Sequence, residues 1–227
     1  MYYPLYFDST MIILIPAMIL TMYAQGKISS AYSKFSRIRT ASGYTGMQTA
    51  RYILDSNGLS NVRIELVSGK LSDHYDPRTR VLRLSNDVYY GTTIAASSIA
   101  AHEVGHAIQH ANAYAPLTIR SAIIPAANIG SAISWPLILI GLLIPRVDYL
   151  ITLGIILFSL VVVLQFVTLP VEFNASRRAM AILEGSGYLY PDELKGARSV
   201  LTAAAMTYVA AMVSASLQLL RLVLLCG

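Results

Sequence analysis

Four apolar stretches dominate this chain: residues 5–24, 123–144, 149–169 and 200–225. Each is long enough to cross a hydrocarbon core, which takes about 20 residues of helix. In lipid a backbone must satisfy its own polar groups, so helices are the structure such stretches can adopt there. Of the 227 residues, 55% are hydrophobic and only 13% charged, whereas a soluble domain has roughly a quarter of its residues charged. The sequence therefore predicts a multi-pass, mainly α membrane protein with about four transmembrane helices. The first stretch has no Lys or Arg ahead of it, carries Asp8 and shows no small-residue cleavage site, so it is read as a retained anchor and not a signal peptide. The single cysteine, Cys226, allows no intrachain disulfide and no thiolate zinc cage.

Basic residues set the sidedness. Fifteen of the seventeen Lys and Arg fall in residues 25–121 and 170–199; the other two are Arg146 and Arg221. Short basic segments stay in the cytoplasm, so both polar segments are expected there, with both termini outside. The expected organisation is an anchor at 1–24, a cytoplasmic segment at 25–121, a transmembrane hairpin at 122–169, a second cytoplasmic segment at 170–199 and a last span at 200–227. The net charge of +5 is read as fixing topology, with contact to an anionic inner leaflet as a lesser possibility. No nucleic-acid partner is expected.

Within the first polar segment, "GKISSAYSKFSRIRTASGYTG" reads as a surface connector, and "GMQTARYILDSNGL" as a short amphipathic helix stopped by Asn57-Gly58. "VRIELV" alternates as a strand, and "DHYDPRTRVLRLS" reads as a turn at Asp76-Pro77-Arg78 followed by a strand from Arg80 to Leu84, a small β-hairpin. That second strand could pair with "VRIELV", or offer an edge on which a peptide adds as a strand. A helix is then expected from about Thr92 to Ala111. The second span carries Pro125, Asn128, Ser131, Ser134 and Pro136 and is not expected to face lipid all round. In the fourth, Ala203, Thr207, Ala211 and Ala215 form a small-residue seam for helix packing.

The predicted helix 92–111 carries "AAHEVGHAIQH". Residues four apart share a helix face, so His102 and His106 can direct two imidazoles at one ion. Glu103 lies at the edge of that face. Two neutral histidines that hold zinc, with a carboxylate to take a proton as the zinc-activated water attacks a carbonyl, are the parts of a zinc hydrolase. Gly105 leaves room for a close neighbour. The bland reading, satisfied core histidines, would bury two imidazoles and a carboxylate at a cost.

A catalytic zinc normally takes three protein ligands and keeps an open position for water. His110 is eight residues from His102, about 12 Å along a straight helix, and is expected outside the coordination shell. Gln109 and Asn112 stand where a metzincin has Gly and His. His74, in the hairpin segment, is the remaining histidine; no role is assigned to it or to His110. Glu172, in "LPVEFNASRRAM" just after the third span, lies on the same expected side of the membrane and is the better candidate, near the amino end of a new helix. Its alternative role is a helix-end carboxylate bonded to Arg177 or to backbone amides.

Through "LSDHYDPRTRVLRLS", "AAHEVGHAIQ", "LPVEFNASRRAM" and "VLTAAAMTYVAA" the chain resembles the YugP-type membrane zinc metallopeptidases of bacteria over nearly its whole length. The resemblance implies a small α+β zincin-like head with an HExxH helix and a short hairpin, zinc held by His102, His106 and Glu172 in the glutamate-zincin manner, and Glu103 as catalytic base. It implies a bacterial membrane metallopeptidase in contact with the lipid bilayer and leaves the substrate open; the basic residues place its polar segments on the cytoplasmic side of the plasma membrane, and the position of Glu172 at the end of a span points to peptide or protein substrates near the membrane. The competing class is a non-proteolytic membrane scaffold or adaptor with a structural metal.

Overall fold

A computed structural model describes residues 9–226. The expectation for residues 5–8 of the first span lies outside the described residues. A 3-10 turn, Ser9–Leu14, leads into α1 (Ile15–Phe35), and α2 (Gly46–Ser56), β1 (Arg63–Val67), β2 (His74–Asp76), β3 (Val81–Ser85), α3 (Asn86–Tyr89) and α4 (Ile94–Ala111) follow. Three long helices complete the chain: α5 (Ala115–Leu143), α6 (Tyr149–Ser186) and α7 (Pro191–Cys226). The protein is mainly helical, with one small three-stranded sheet. Among the described residues, four helical stretches are long and apolar enough to cross a membrane: Ser9–Phe35, Ala115–Leu143, Tyr149–Ser186 and Pro191–Leu225.

The chain folds as two compact units. One takes the residues before Gln25, Ile119–Leu169 and those from Thr207 on; the other takes Gln25–Thr118 and Pro170–Met206. In the first, small residues let helices meet. A Cβ on Gly130 would lie 2.8 Å from the Leu157 carbonyl, and one on Gly154 equally close to the Ser134 carbonyl. Ile138, Phe158, Val162 and Leu222 form the buried cluster there, and Ser134 is fully buried in the second span.

The other unit has an ordinary apolar interior. Ile53 and Leu54 of α2, Leu82 and Leu84 of β3, Val104 and Ala107 of α4 and Leu183 of α6 bury together, each large side chain worth roughly 1.5–3 kcal/mol of transfer free energy. Local chemistry sets the element ends. Thr45 and Gln48 close a capping box at the start of α2, which satisfies two otherwise orphaned donors. Asn57 caps its end, and Gly58 follows with φ +70°, a left-handed turn that glycine adopts without strain. Thr93 caps α4 by accepting from the Ala96 amide, so the helix begins one or two residues later than the sequence suggested.

Three elements differ from expectation. The stretch expected to be a surface connector is helical to Phe35, as the end of α1. The sheet order is β1-β3-β2, with β1 parallel and β2 antiparallel to β3. The hairpin and the pairing of "RVLRL" with "VRIELV" are as expected, but the strand is central and the alternative of a free edge for a peptide is overturned; the edges are β1 and β2. Finally, α6 does not restart after the third span. It runs unbroken through Pro170, so Glu172 sits inside a long helix and not near an amino end. Proline removes one backbone donor, but the neighbouring turns carry the helix across it.

Candidate metal centre

His102, Glu103 and His106 all lie on α4, whose 18 residues are mostly buried. The helix can be buried because it is lined with alanine and glycine. Gly105 matters most: a Cβ there would meet the carbonyl oxygen of Ala175 at 2.7 Å. Only a glycine lets α6 pass this near to α4. That approach brings Glu172, almost completely buried, to the two histidines.

Nε2 of His102 lies 3.2 Å from Oε2 of Glu172, and Nε2 of His106 lies 3.6 Å from the same oxygen. One ligand atom from each of the three residues falls within a common span of 4.8 Å. Two donors at 2.0–2.1 Å from one ion at a tetrahedral angle would stand about 3.3 Å apart. The spacing and the two-nitrogen, one-oxygen donor set fit a zinc-type ion. Among the described residues no other histidine, cysteine or carboxylate group makes such a cluster. His110 is outside it: its Nδ1 is 2.9 Å from the Tyr75 hydroxyl. His74 is exposed, and its Nδ1 faces the Ser72 carbonyl at 2.8 Å.

Each nitrogen turned away from Glu172 is also held. Nδ1 of His102 is 3.1 Å from the Ser176 hydroxyl, and Nδ1 of His106 is 3.0 Å from Oε1 of Gln109. Such outer partners fix ring orientation and ligand basicity. Gln109 in turn donates to the Val171 carbonyl and to the side-chain oxygen of Asn174. Its position three residues after His106 is a helical neighbour spacing, a signal the sequence carried. Ser176 carried none, being seventy-four residues from its partner.

Glu103 is buried, and its Oε2 accepts the backbone N–H of Tyr75 at 3.1 Å. That donor comes from the short edge strand β2, which Asp73 pins by accepting from the amide and hydroxyl of Ser85. Backbone partners of this kind cannot be read from residue types. Burial pushes the Glu103 carboxyl above the usual range; His102 and His106 oppose the rise, and the negative charges of Glu172 and Asp73 add to it. A carboxyl of raised proton affinity can serve as a proton acceptor. At His106 burial opposes the charged ring, but the bond to Glu172 and the charge of Glu103 outweigh it and raise its proton affinity.

Residues 10–227 match the family described as "Putative neutral zinc metallopeptidase". The chain is also 49% identical over 211 residues to the "Putative membrane protease YugP" of Bacillus subtilis (strain 168), a match that covers 93% of each chain. No solved structure matches it.

Proposed function

The chain belongs to the neutral zinc metallopeptidase family, and from that premise we propose that it is a membrane-anchored zinc endopeptidase with His102, His106 and Glu172 as metal ligands and Glu103 as general base. The observation that carries this reading is the convergence of both Nε2 atoms on one Glu172 oxygen, at 3.2 and 3.6 Å, beside a buried carboxylate on the same helix. Bound zinc would supply a Lewis acid that polarises a carbonyl and makes water more acidic. Glu103 accepts the proton that water loses on attack at the scissile carbonyl and passes it to the departing nitrogen. The Tyr75 amide holds one Glu103 oxygen and so aims the other. Gly105 and the buried face of α4 hold the ligands still while the substrate changes.

Replacement of Glu103 by Gln keeps the size of the side chain and removes the base. Cleavage of an unfolded protein substrate is expected to fall by about 10²–10⁴-fold, with zinc still bound at one per chain. Undiminished cleavage would defeat the assignment, and a scaffold would keep its cellular function in the same variant.

The polar segments 25–121 and 170–199 face the cytoplasm of a bacterial cell in this reading, as a zincin-like head between the anchor 1–24, the hairpin 122–169 and the span 200–227. Glu172 follows the 149–169 span directly in sequence, which favours substrates near the membrane. Single cysteines placed at residues 60–90 should resist impermeant thiol reagents in intact cells; ready labelling would reverse the orientation.

A further inference from the structure

We infer that Gln109 locks His106 in the tautomer that metal binding needs, and that Arg178 and Asn174 set the direction of the lock. The inference rests on the reading of His106 as a metal ligand. Gln109 is fully buried on α4. An amide side chain has a donating nitrogen and an accepting oxygen, and its neighbours decide which end lies where. Here they leave one arrangement. A backbone carbonyl only accepts, so the atom 2.8 Å from the Val171 oxygen must be the Gln109 nitrogen. A guanidinium only donates, so Arg178 Nε, at 2.8 Å, must face the oxygen of the Asn174 amide. That oxygen lies 3.0 Å from the same Gln109 nitrogen, which again makes the nitrogen the donor.

Two independent partners therefore leave the Gln109 oxygen 3.0 Å from Nδ1 of His106. This oxygen can only accept, so Nδ1 carries the proton. In the neutral ring Nε2, the nitrogen that faces Glu172, then keeps its lone pair for a metal. His102 is held differently. Its partner is the Ser176 hydroxyl, which donates or accepts as required and imposes no tautomer. Gln109 also holds the carbonyl of Val171, the residue just before Glu172. One amide thus ties the ring of a ligand histidine to the backbone that carries the third ligand. Gln109 is a positioning residue and touches no reacting atom.

The test is zinc affinity, measured by chelator competition on the full-length protein in detergent. Gln109→Met preserves bulk and should weaken zinc about 10–100-fold, while Asn174→Asp keeps the accepting oxygen and should leave affinity nearly unchanged. Unchanged affinity in folded Gln109→Met overturns the inference, and an equal loss in Asn174→Asp overturns the assigned direction. If Gln109→Met does not fold, nitrogen NMR of the zinc-loaded wild type decides: a proton on Nδ1 of His106 supports the lock, and one on Nε2 overturns it. A wild type that binds no zinc would instead remove the metal-ligand reading, a result distinct from a wild type that binds zinc with no need of Gln109.

Discussion

Helix α6 passes from one compact unit to the other, and its side chains change sense on the way. Phe166, in the unit that holds the apolar spans, is 54% exposed, whereas Leu183, in the unit that holds the histidines, is fully buried. The first unit turns Ile129, Leu139, Leu143 and Ile156 outward and packs its helices through Gly130 and Gly154. The second hides Ile53, Leu54, Leu82 and Leu84 and also buries Glu103, His106, Gln109 and Glu172. Helix formation is indifferent to this inversion, because each backbone bond is satisfied within the segment. What differs is the medium each surface was selected to meet. Apolar surface is cheap in lipid and expensive in water, and most buried polar groups are hydrogen-bonded.

The largest effect that would sharpen this contrast is at Glu172. Glutamine there keeps volume but removes the anion that both histidines face, so zinc affinity should fall by more than the roughly 100-fold that loss of an outer partner costs; equal affinity in a folded variant would break the idea that the second unit buries charge for a metal. Next come paired leucines. Leu54→Ala should cost about 2–5 kcal/mol of stability, against within about 0.5 kcal/mol for Leu143→Ala, which is 72% exposed. Similar thermal midpoints for the two in detergent would show that the units do not bury apolar surface differently. Smallest of the three is Gly105→Ala. Its new methyl would press on the Ala175 carbonyl, and overpacking of this kind costs about 1–3 kcal/mol. The readout is the same thermal midpoint, with zinc affinity measured alongside.

Much of this was legible in residue types and spacing. The four apolar stretches, the capped helix carrying the motif, the Asn57-Gly58 stop and the empty face at Gly105 all follow from local rules. Glu172 could be nominated because it lies near the right end of a span, but its expected place near the amino end of a new helix is wrong: nothing local says that neighbouring turns carry one helix across Pro170. The strand pairing was offered as one of two alternatives, but its parallel sense and the strand order were hidden. Parallel pairing of β1 with β3 joins segments separated by β2, and strand order depends on what covers each edge. The Tyr75 amide on Glu103 was beyond reach for a simpler reason, that every residue but proline offers the same donor.

The separation of seventy positions from His102 to Glu172 also imposes an order of events in synthesis. A nascent chain presents both histidines and Glu103 long before the carboxylate that faces them has been translated, and the whole hairpin of α5 and the first part of α6 must be made in between. Since chains emerge amino end first, the half-built protein carries the motif without its third partner. By sequence order alone, the cluster of His102, His106 and Glu172 can close only once the hairpin has been synthesised.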